Sequence, residues 1–195
     1  DYRVLGSKVI IFGGEYFPTR ILTMLKSFDY RGRVYNHYGP TEATIGKSIH
    51  SIDLTKEYEI VPIGKPFSNT RFYVLDQQRE LIPVGVAGEL YIAGDGLARG
   101  YLNDSKLTEE RFISDRIDPQ QRMYRTGDLV RWLSDGNIEY IGRIDDQVKI
   151  RGYRIELGEI QTQVDQYPQI EQSVIVAKAD INGQNRLVGY RSEEH

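Results

Sequence analysis

The first sixty residues alternate between short apolar runs and one amphipathic segment. Residues 8–12 (KVIIF) form a continuous apolar, β-branched run that ends at two glycines, which is typical of a strand covered on both faces. Residues 18–28 carry apolar side chains at helical spacing behind a proline suited to a first helical turn. A second short strand is predicted at residues 33–36. The pattern therefore predicts a βαβ unit, whose two strands run parallel.

Residues with polar side chains or glycine follow both predicted strands. Because ligands gather beyond the carboxyl ends of strands in open α/β sheets, residues 13–15 (GGE) and 36–42 (NHYGPTE) face a predicted ligand crevice. In YGPTE, Tyr38 offers a flat apolar face for a purine, Thr41 a hydroxyl for a phosphate or carboxylate oxygen, and Glu42 a hard oxygen ligand for Mg²⁺. A strand-to-turn connection with a surface glutamate explains the same five residues equally well.

From about residue 60 the chain changes to short alternating segments separated by turn residues. A hairpin is predicted about residues 134–137. Residues 88–102 (GELYIAGDGLARGYL) hold four glycines in a predicted strand-turn-strand setting. Since this stretch lacks the lysine of a phosphate loop and no clear helix follows it, we predict a structural role for it.

The motif YRTGDL places Asp128 after a glycine at the mouth of a strand. An ionised carboxylate there could accept hydrogen bonds from two adjacent ribose hydroxyls. A turn aspartate that bonds its own backbone is the commoner explanation for a single Gly-Asp pair. The spacing alone leaves both interpretations open.

The order of predicted elements changes again in the last fifty residues. After Asp145 the order is a strand at residues 147–152, an amphipathic helix through Leu157, Ile160, Val164 and Tyr167, and two further strands. We predict a large lobe over residues 1–144, with 1–59 α/β and 60–144 mostly β, and the start of a small α+β lobe over 145–195. The charged residues around Asp145 indicate either a solvated strand with weak salt bridges or a hinge, with Asp145 the natural candidate.

Composition narrows the classes of function. The 195 residues are 39% hydrophobic and 27% charged, which is ordinary for a soluble globular protein. A net charge of −3 with interleaved signs gives no basic face for nucleic acid. Cysteine is absent, which excludes disulfides and thiolate metal sites and fits the cytoplasm, and the apolar runs are too short for a membrane span.

Four motifs, taken in order, resemble the adenylation domains of nonribosomal peptide synthetases, within the larger family of adenylate-forming enzymes. They are YGPTE, GELYIAGDGLARGYL, YRTGDL and GRIDDQVKIRGYRIELGEI, and together they span nearly the whole chain. The resemblance implies a partial adenylation domain: the end of the large lobe's α/β sheet, a β subdomain and the beginning of a small α+β lobe. Because residue 1 runs almost at once into a strand, we expect a piece of a longer chain.

The resemblance also implies a reaction. An amino acid carboxylate attacks the α-phosphate of ATP, giving aminoacyl-adenylate and pyrophosphate, and the acyl group passes to the phosphopantetheine thiol of a carrier-protein domain in secondary metabolite biosynthesis. By similarity Tyr38 stacks on adenine, Thr41 touches the α-phosphate, Glu42 ligates Mg²⁺ and Asp128 holds the ribose hydroxyls. The resemblance further implies that Arg143 and catalytic Lys149 lie near the nucleotide when the lobes close, and that Asp145 is the hinge.

The implied substrate pocket comprises Ile11, Gly13, His37, Ile45 and Gly46, and this set resembles aspartate-activating pockets. A protonated His37 could pair with a side-chain carboxylate while the glycines leave room for it. Asparagine is the second choice of substrate. The plainer interpretation is that His37 caps the end of a strand.

Several parts of the family pattern fall outside these 195 residues: the phosphate loop, the aspartate that grips the substrate amine, and the late lysine. We therefore expect the fragment to be inactive alone, and its exposed sheet edge to favour self-association. The alternatives are an acyl-CoA or aryl acid ligase of the same fold, or a non-catalytic module that merely holds nucleotide or docks a carrier or a small accessory protein.

Overall fold

The first part of the chain forms a four-stranded sheet with one helix against it. The computed structural model describes residues 6–115, 117–150, 153–179 and 185–192. Strand β1 (Val9–Gly13), helix α1 (Arg20–Ser27) and strand β2 (Arg33–Tyr38) form the predicted βαβ unit, and β1 and β2 are parallel. Strands β3 (Ser48–Ile52) and β4 (Lys65–Pro66) follow, each antiparallel to its predecessor in the sheet order β1-β2-β3-β4. The predicted parallel unit is confirmed.

One face of this sheet is covered by α1. Leu22 and Leu25 of the helix are buried in a cluster with Val34, and Ile10 and Phe12 of β1 pack against the same cluster. The other face of β1 is open, with Ile11 59% exposed. The prediction that β1 is covered on both faces is therefore wrong, because β1 is the edge strand and α1 covers only the face of its even-numbered residues.

A five-stranded sheet makes up the middle of the chain. Its strands are β5 (Thr70–Leu75), β6 (Ala87–Gly94), β7 (Phe112–Ser114), β8 (Arg122–Trp132) and β9 (Ile138–Arg143), in the order β5-β6-β8-β7 with β9 paired to β8. The core of this sheet contains Leu90, Ile92, Val130 and Ile138, all fully buried. The predicted hairpin joins β8 to β9, where the Leu133 amide donates to Asn137 O at 2.8 Å.

A short helix that the sequence did not predict follows the glycine-rich stretch. After β6 the chain turns and runs without a second strand to helix α2 (Ser105–Arg111), so the predicted strand-turn-strand arrangement is wrong. Asp104 caps the helix by accepting from the Leu107 amide at 2.9 Å. Helix α2 buries none of its residues, so it lacks the apolar stripe by which helices are recognised in sequence.

The chain folds as two compact units, residues 1–142 and residues 143–195. The second unit contains the hairpin β10 (Gln147–Ile150) and β11 (Tyr153–Glu156), helix α3 (Leu157–Val164), and the antiparallel pair β12 (Ser173–Ala179) and β13 (Asn185–Arg191). Residues 151–152 of the predicted strand lie outside the described residues. Among the described helices, none has the length and apolar composition to cross a membrane.

The two sheets of the first unit meet at Gly64, which pairs with Ile138. Gly64 has φ +90°, and a Cβ there would lie 2.0 Å from Ile49 O. We expect Gly64→Ala to lower the free energy of unfolding by roughly 2–5 kcal/mol, because a left-handed alanine costs about 1–2 kcal/mol and overpacking adds about 1–3. Urea unfolding measures the change.

Gly85 provides the matched control for this substitution. It has φ +87° and nothing within 4 Å of an added Cβ, so Gly85→Ala isolates the backbone cost, about 1–2 kcal/mol. Equal losses for the two variants would show that the close approach at Gly64 contributes nothing.

Candidate functional site

The loop after β2 is closed onto itself by backbone hydrogen bonds. A 3-10 turn, Thr41–Ala43, follows Pro40, and Ile45 N donates to Pro40 O at 3.0 Å. The Lys47 amide then donates to Tyr38 O at 2.8 Å. A Cβ at Gly39 would lie 2.1 Å from Ile45 O, so the loop can close this tightly only over a glycine.

Tyr38 and Asp128 meet although 90 residues separate them in sequence. The Tyr38 hydroxyl donates a hydrogen bond to Asp128 Oδ2, and Asp128 is only 6% exposed. Burial of the hydroxyl, and next the negative charge of Asp128, raise the pKa of Tyr38 well above its usual value, so the tyrosine keeps its proton. Tyr38 and Asp128, which the family resemblance assigns to adenine and ribose, are thus neighbours.

The backbone before Asp128 is held by side chains that the sequence analysis did not single out. Gly127 adopts φ +72°, and its amide donates to Glu89 Oε1 at 3.1 Å. Glu89 also accepts from Arg125 at 2.9 Å. Thr126 donates to Leu90 O at 2.7 Å and accepts from the Asp128 amide at 2.9 Å. The sequence feature that could have indicated these contacts is Glu89, a charged residue that begins the otherwise apolar run ELYIA of β6.

Glu42 is buried, at 7% exposure, so the alternative of a surface glutamate is wrong. The Tyr101 hydroxyl donates to Glu42 Oε1 at 2.7 Å and lies 3.4 Å from the Tyr124 hydroxyl. The Ala98 amide donates to the backbone oxygen of Glu42 at 2.7 Å. The glycine-rich stretch therefore contacts the candidate site, and sequence reasoning missed Tyr101.

The donor set around Glu42 fits a magnesium ion that a nucleotide brings with it. Mg²⁺ usually takes one or two carboxylates, with water and substrate phosphates completing its octahedron. Within the described part of the chain, no group of three or more His, Cys, Asp or Glu side chains converges as a metal site. Glu42 offers one carboxylate to such an ion, and Thr41 beside it is exposed.

The imidazole of His37 lies between two glycines. A Cβ on Gly46 would lie 2.3 Å from His37 Nε2, and a Cβ on Gly13 would lie 2.8 Å from His37 O and 3.4 Å from Nδ1. Gly13 is the register partner of His37, and Ile11 is on the same face of β1. The structure therefore brings together four of the five predicted pocket residues, the fifth being Ile45 in the adjoining loop.

Thr44 and Ile45 are two consecutive β-branched residues in the left-handed region, with φ +66° and +64°. Such conformations are strained and persist only where surrounding bonds enforce them. Thr44 Oγ1 donates to Gly96 O at 2.6 Å, and Lys47 Nζ donates to Asp95 O. The turn after β6 thus holds the segment that carries Ile45.

We expect Ile45→Asn to raise the free energy of unfolding by about 1 kcal/mol, because asparagine tolerates the left-handed region. Ile45 is 66% exposed, so little buried apolar surface is lost. Urea unfolding measures the gain against Val84→Asn, a control at an apolar residue that is 61% exposed. If Ile45→Asn does not raise the free energy of unfolding more than Val84→Asn does, the strain at Ile45 is absent.

The remaining predicted residues belong to the second unit. Arg143 binds Asp145 through two hydrogen bonds, Nε to Oδ1 at 2.8 Å and Nη2 to Oδ2 at 2.6 Å. Lys149 lies in β10, opposite Arg154 of β11. The closure of Arg143 and Lys149 onto a nucleotide, the hinge at Asp145 and the domain boundary at 144/145 stay predictions.

The chain matches known proteins in family, sequence and fold. The family model described as AMP-binding enzyme matches residues 2–102. The chain is 47% identical over 196 residues to surfactin synthase subunit 1 of Bacillus subtilis (strain 168), a match that covers 97% of the chain and 6% of that synthase. The chain thus spans a small fraction of this curated relative.

Two solved structures share the fold. PA1221, an NRPS protein containing adenylation and PCP domains, has a TM-score of 0.85 at 30% identity, covering 97% of the chain and 39% of its own. The Vibrio cholerae adenylation domain AlmE, in complex with glycyl-adenosine-5′-phosphate, has a TM-score of 0.81 at 31% identity, covering 93% and 35%. The predicted combination of an α/β sheet, a β subdomain and the start of an α+β lobe is confirmed.

Proposed function

Since the chain belongs to the AMP-binding enzymes, as part of an adenylation domain of the nonribosomal peptide synthetase type, we propose that it supplies the nucleotide site of an amino-acid-activating ligase. In the longer polypeptide, an amino acid carboxylate attacks the α-phosphorus of ATP and pyrophosphate leaves. The observation that carries the proposal is the contact between Tyr38 and Asp128. Tyr38 ends strand β2, and the loop that follows it carries Glu42.

Each residue of this cluster has a role in binding ATP. Tyr38 gives its ring face to adenine and Asp128 accepts from the ribose hydroxyls, while Thr41 contacts the α-phosphate. Glu42 would hold Mg²⁺, and the ion would supply positive charge to neutralise the phosphates. Transfer at phosphorus is mostly positioning and charge neutralisation, so this set needs no covalent nucleophile.

The substrate proposed for the pocket is aspartate, with asparagine second. In its imidazolium form His37 pairs with the side-chain carboxylate of the amino acid. The close approach of Gly13 and Gly46 to the ring supports this role, because any larger residue at either position would occupy the space beside the imidazole. We also propose nucleotide-binding roles for Arg143 and Lys149 and a hinge role for Asp145.

The proposed partners follow from the second half-reaction. The aminoacyl group passes to the phosphopantetheine thiol of a carrier-protein domain, which breaks the acyl–phosphate bond and releases AMP. A small accessory protein is a further proposed partner, and the cytoplasm, which supplies ATP and Mg²⁺, is the proposed compartment. By itself the chain is proposed to be inactive.

The test is pyrophosphate exchange into ATP by the complete polypeptide that contains this chain, with each proteinogenic amino acid in turn. We expect exchange with aspartate above all others. Exchange with a different amino acid would overturn the assignment of the His37 pocket. Activation of fatty or aryl acids alone would favour a ligase of another branch, and exchange with no acid at all would overturn the enzymatic proposal.

The isolated chain is also expected to self-associate. Strand β1 is the edge of its sheet, and Val9 and Ile11 are 36% and 59% exposed on one face. Such an edge favours pairing with a second copy. Light scattering across a concentration series should show a mass that rises with concentration, whereas a monodisperse monomer throughout would contradict the expectation.

A further inference from the structure

Tyr101 is fixed at both its ring and its backbone. The ring packs edge-on against Phe112, with centroids 5.8 Å apart, and Phe112 in turn contacts Tyr124 at 5.1 Å. The Tyr101 amide donates to Thr108 Oγ1 at 2.9 Å, and Thr108 lies in helix α2. The Tyr101 hydroxyl is therefore held in place before any ligand arrives.

This fixed hydroxyl meets the one buried carboxylate of the loop after β2. It donates to Glu42 Oε1 at 2.7 Å, while the Ala98 amide donates to Glu42 O at 2.7 Å. Residues 98–101 thus hold Glu42 by its side chain and by its backbone. The proposed chemistry assigns no role to Tyr101.

We propose that Tyr101 is a positioning residue, whose hydroxyl holds one carboxylate oxygen of Glu42 so that Glu42 is ordered for a metal–nucleotide complex. This inference rests on the proposed function. Groups that hydrogen-bond a metal-binding carboxylate fix its orientation, and their removal typically costs about 10–100-fold in metal affinity. Tyr101 acts through Glu42 and contacts no reacting atom.

The test measures metal binding in the complete polypeptide that contains this chain. Mn²⁺ stands in for Mg²⁺, a non-hydrolysable ATP analogue is present, and free Mn²⁺ is followed by electron paramagnetic resonance. Tyr101→Phe removes a single oxygen and leaves the packing on Phe112. We expect Mn²⁺ affinity to fall by about tenfold. Tyr16→Phe, at a tyrosine 52% exposed, is the matched control and should bind Mn²⁺ like the wild type.

A double-mutant cycle with Glu42→Ala, which removes both the carboxylate and its bond from Tyr101, separates the outcomes. If Glu42→Ala weakens Mn²⁺ binding and Tyr101→Phe adds nothing to it, the positioning role is supported. If Tyr101→Phe binds like the wild type, or weakens Glu42→Ala by its full amount, the positioning role is overturned and the proposed function stands. If Glu42→Ala itself leaves Mn²⁺ affinity unchanged, the metal role of Glu42 falls, and the inference with it.

Discussion

Replacing Glu42 by glutamine is expected to slow aminoacyl-adenylate formation by about 10²–10³-fold, the usual cost of removing one preorganised electrostatic group from a transition state. Glutamine has the same shape, and its amide oxygen can still accept from the Tyr101 hydroxyl. The substitution therefore removes the negative charge while keeping the packing of a residue that is 7% exposed. Single-turnover formation of the adenylate at saturating ATP and amino acid measures the loss.

The control for this prediction is Glu57→Gln. Glu57 pairs with Lys26 on the surface, and its side chain is 95% exposed, so the same loss of charge there should leave the rate unchanged. A Glu42→Gln variant that retains a third or more of the wild-type rate would show that the carboxylate does not take part in adenylation.

The second large effect is expected at Asp128. Two hydrogen bonds from ribose hydroxyls to a carboxylate are worth about 1.5–3 kcal/mol each, so Asp128→Ala should raise the KM for ATP by about 10²-fold or more. The same substitution leaves the buried Tyr38 hydroxyl without its Asp128 partner, which lowers the stability of the fold. Steady-state pyrophosphate exchange at varied ATP measures the change in KM.

A comparison of ATP with 2′-deoxy-ATP makes this prediction specific to ribose. The wild type should prefer ATP by roughly tenfold, since the deoxy nucleotide lacks one hydroxyl, and Asp128→Ala should lose that preference. Asp135→Ala, in the turn after β8, is the control and should keep it. If Asp128→Ala still discriminates between the two nucleotides, Asp128 does not hold the ribose.

The elements that could be predicted from sequence are those whose burial leaves a periodic mark. Helix α1 buries Leu22 and Leu25, so its stripe is visible, and the βαβ unit follows from it. Helix α2 buries nothing and has no stripe to find. The exposure of one face of β1 was equally invisible, because KVIIF is the same run whether or not a further layer covers it.

The candidate site divides in the same way. Tyr38, Glu42 and Asp128 belong to motifs that a family resemblance identifies. The residues that hold this site were not identified in that way. Tyr101 is 59 positions from Glu42, and Glu89 is 38 positions from Gly127, which precedes Asp128, so only the fold reveals these contacts. The strain at Thr44 and Ile45 also runs against sequence preference, since β-branched residues avoid the left-handed region.

We propose that this chain helps to join an amino acid carboxylate to the α-phosphate of ATP. The measurement that tests it most directly uses aspartate labelled with oxygen-18 in its carboxylates, turned over with ATP and carrier protein by the complete polypeptide. Attack at the α-phosphorus, followed by transfer to the thiol, leaves one carboxylate oxygen in the nucleotide, so the released AMP should carry one heavy oxygen. Unlabelled AMP, with the heavy oxygen in inorganic phosphate or pyrophosphate, would show that the carboxylate does not attack the α-phosphorus.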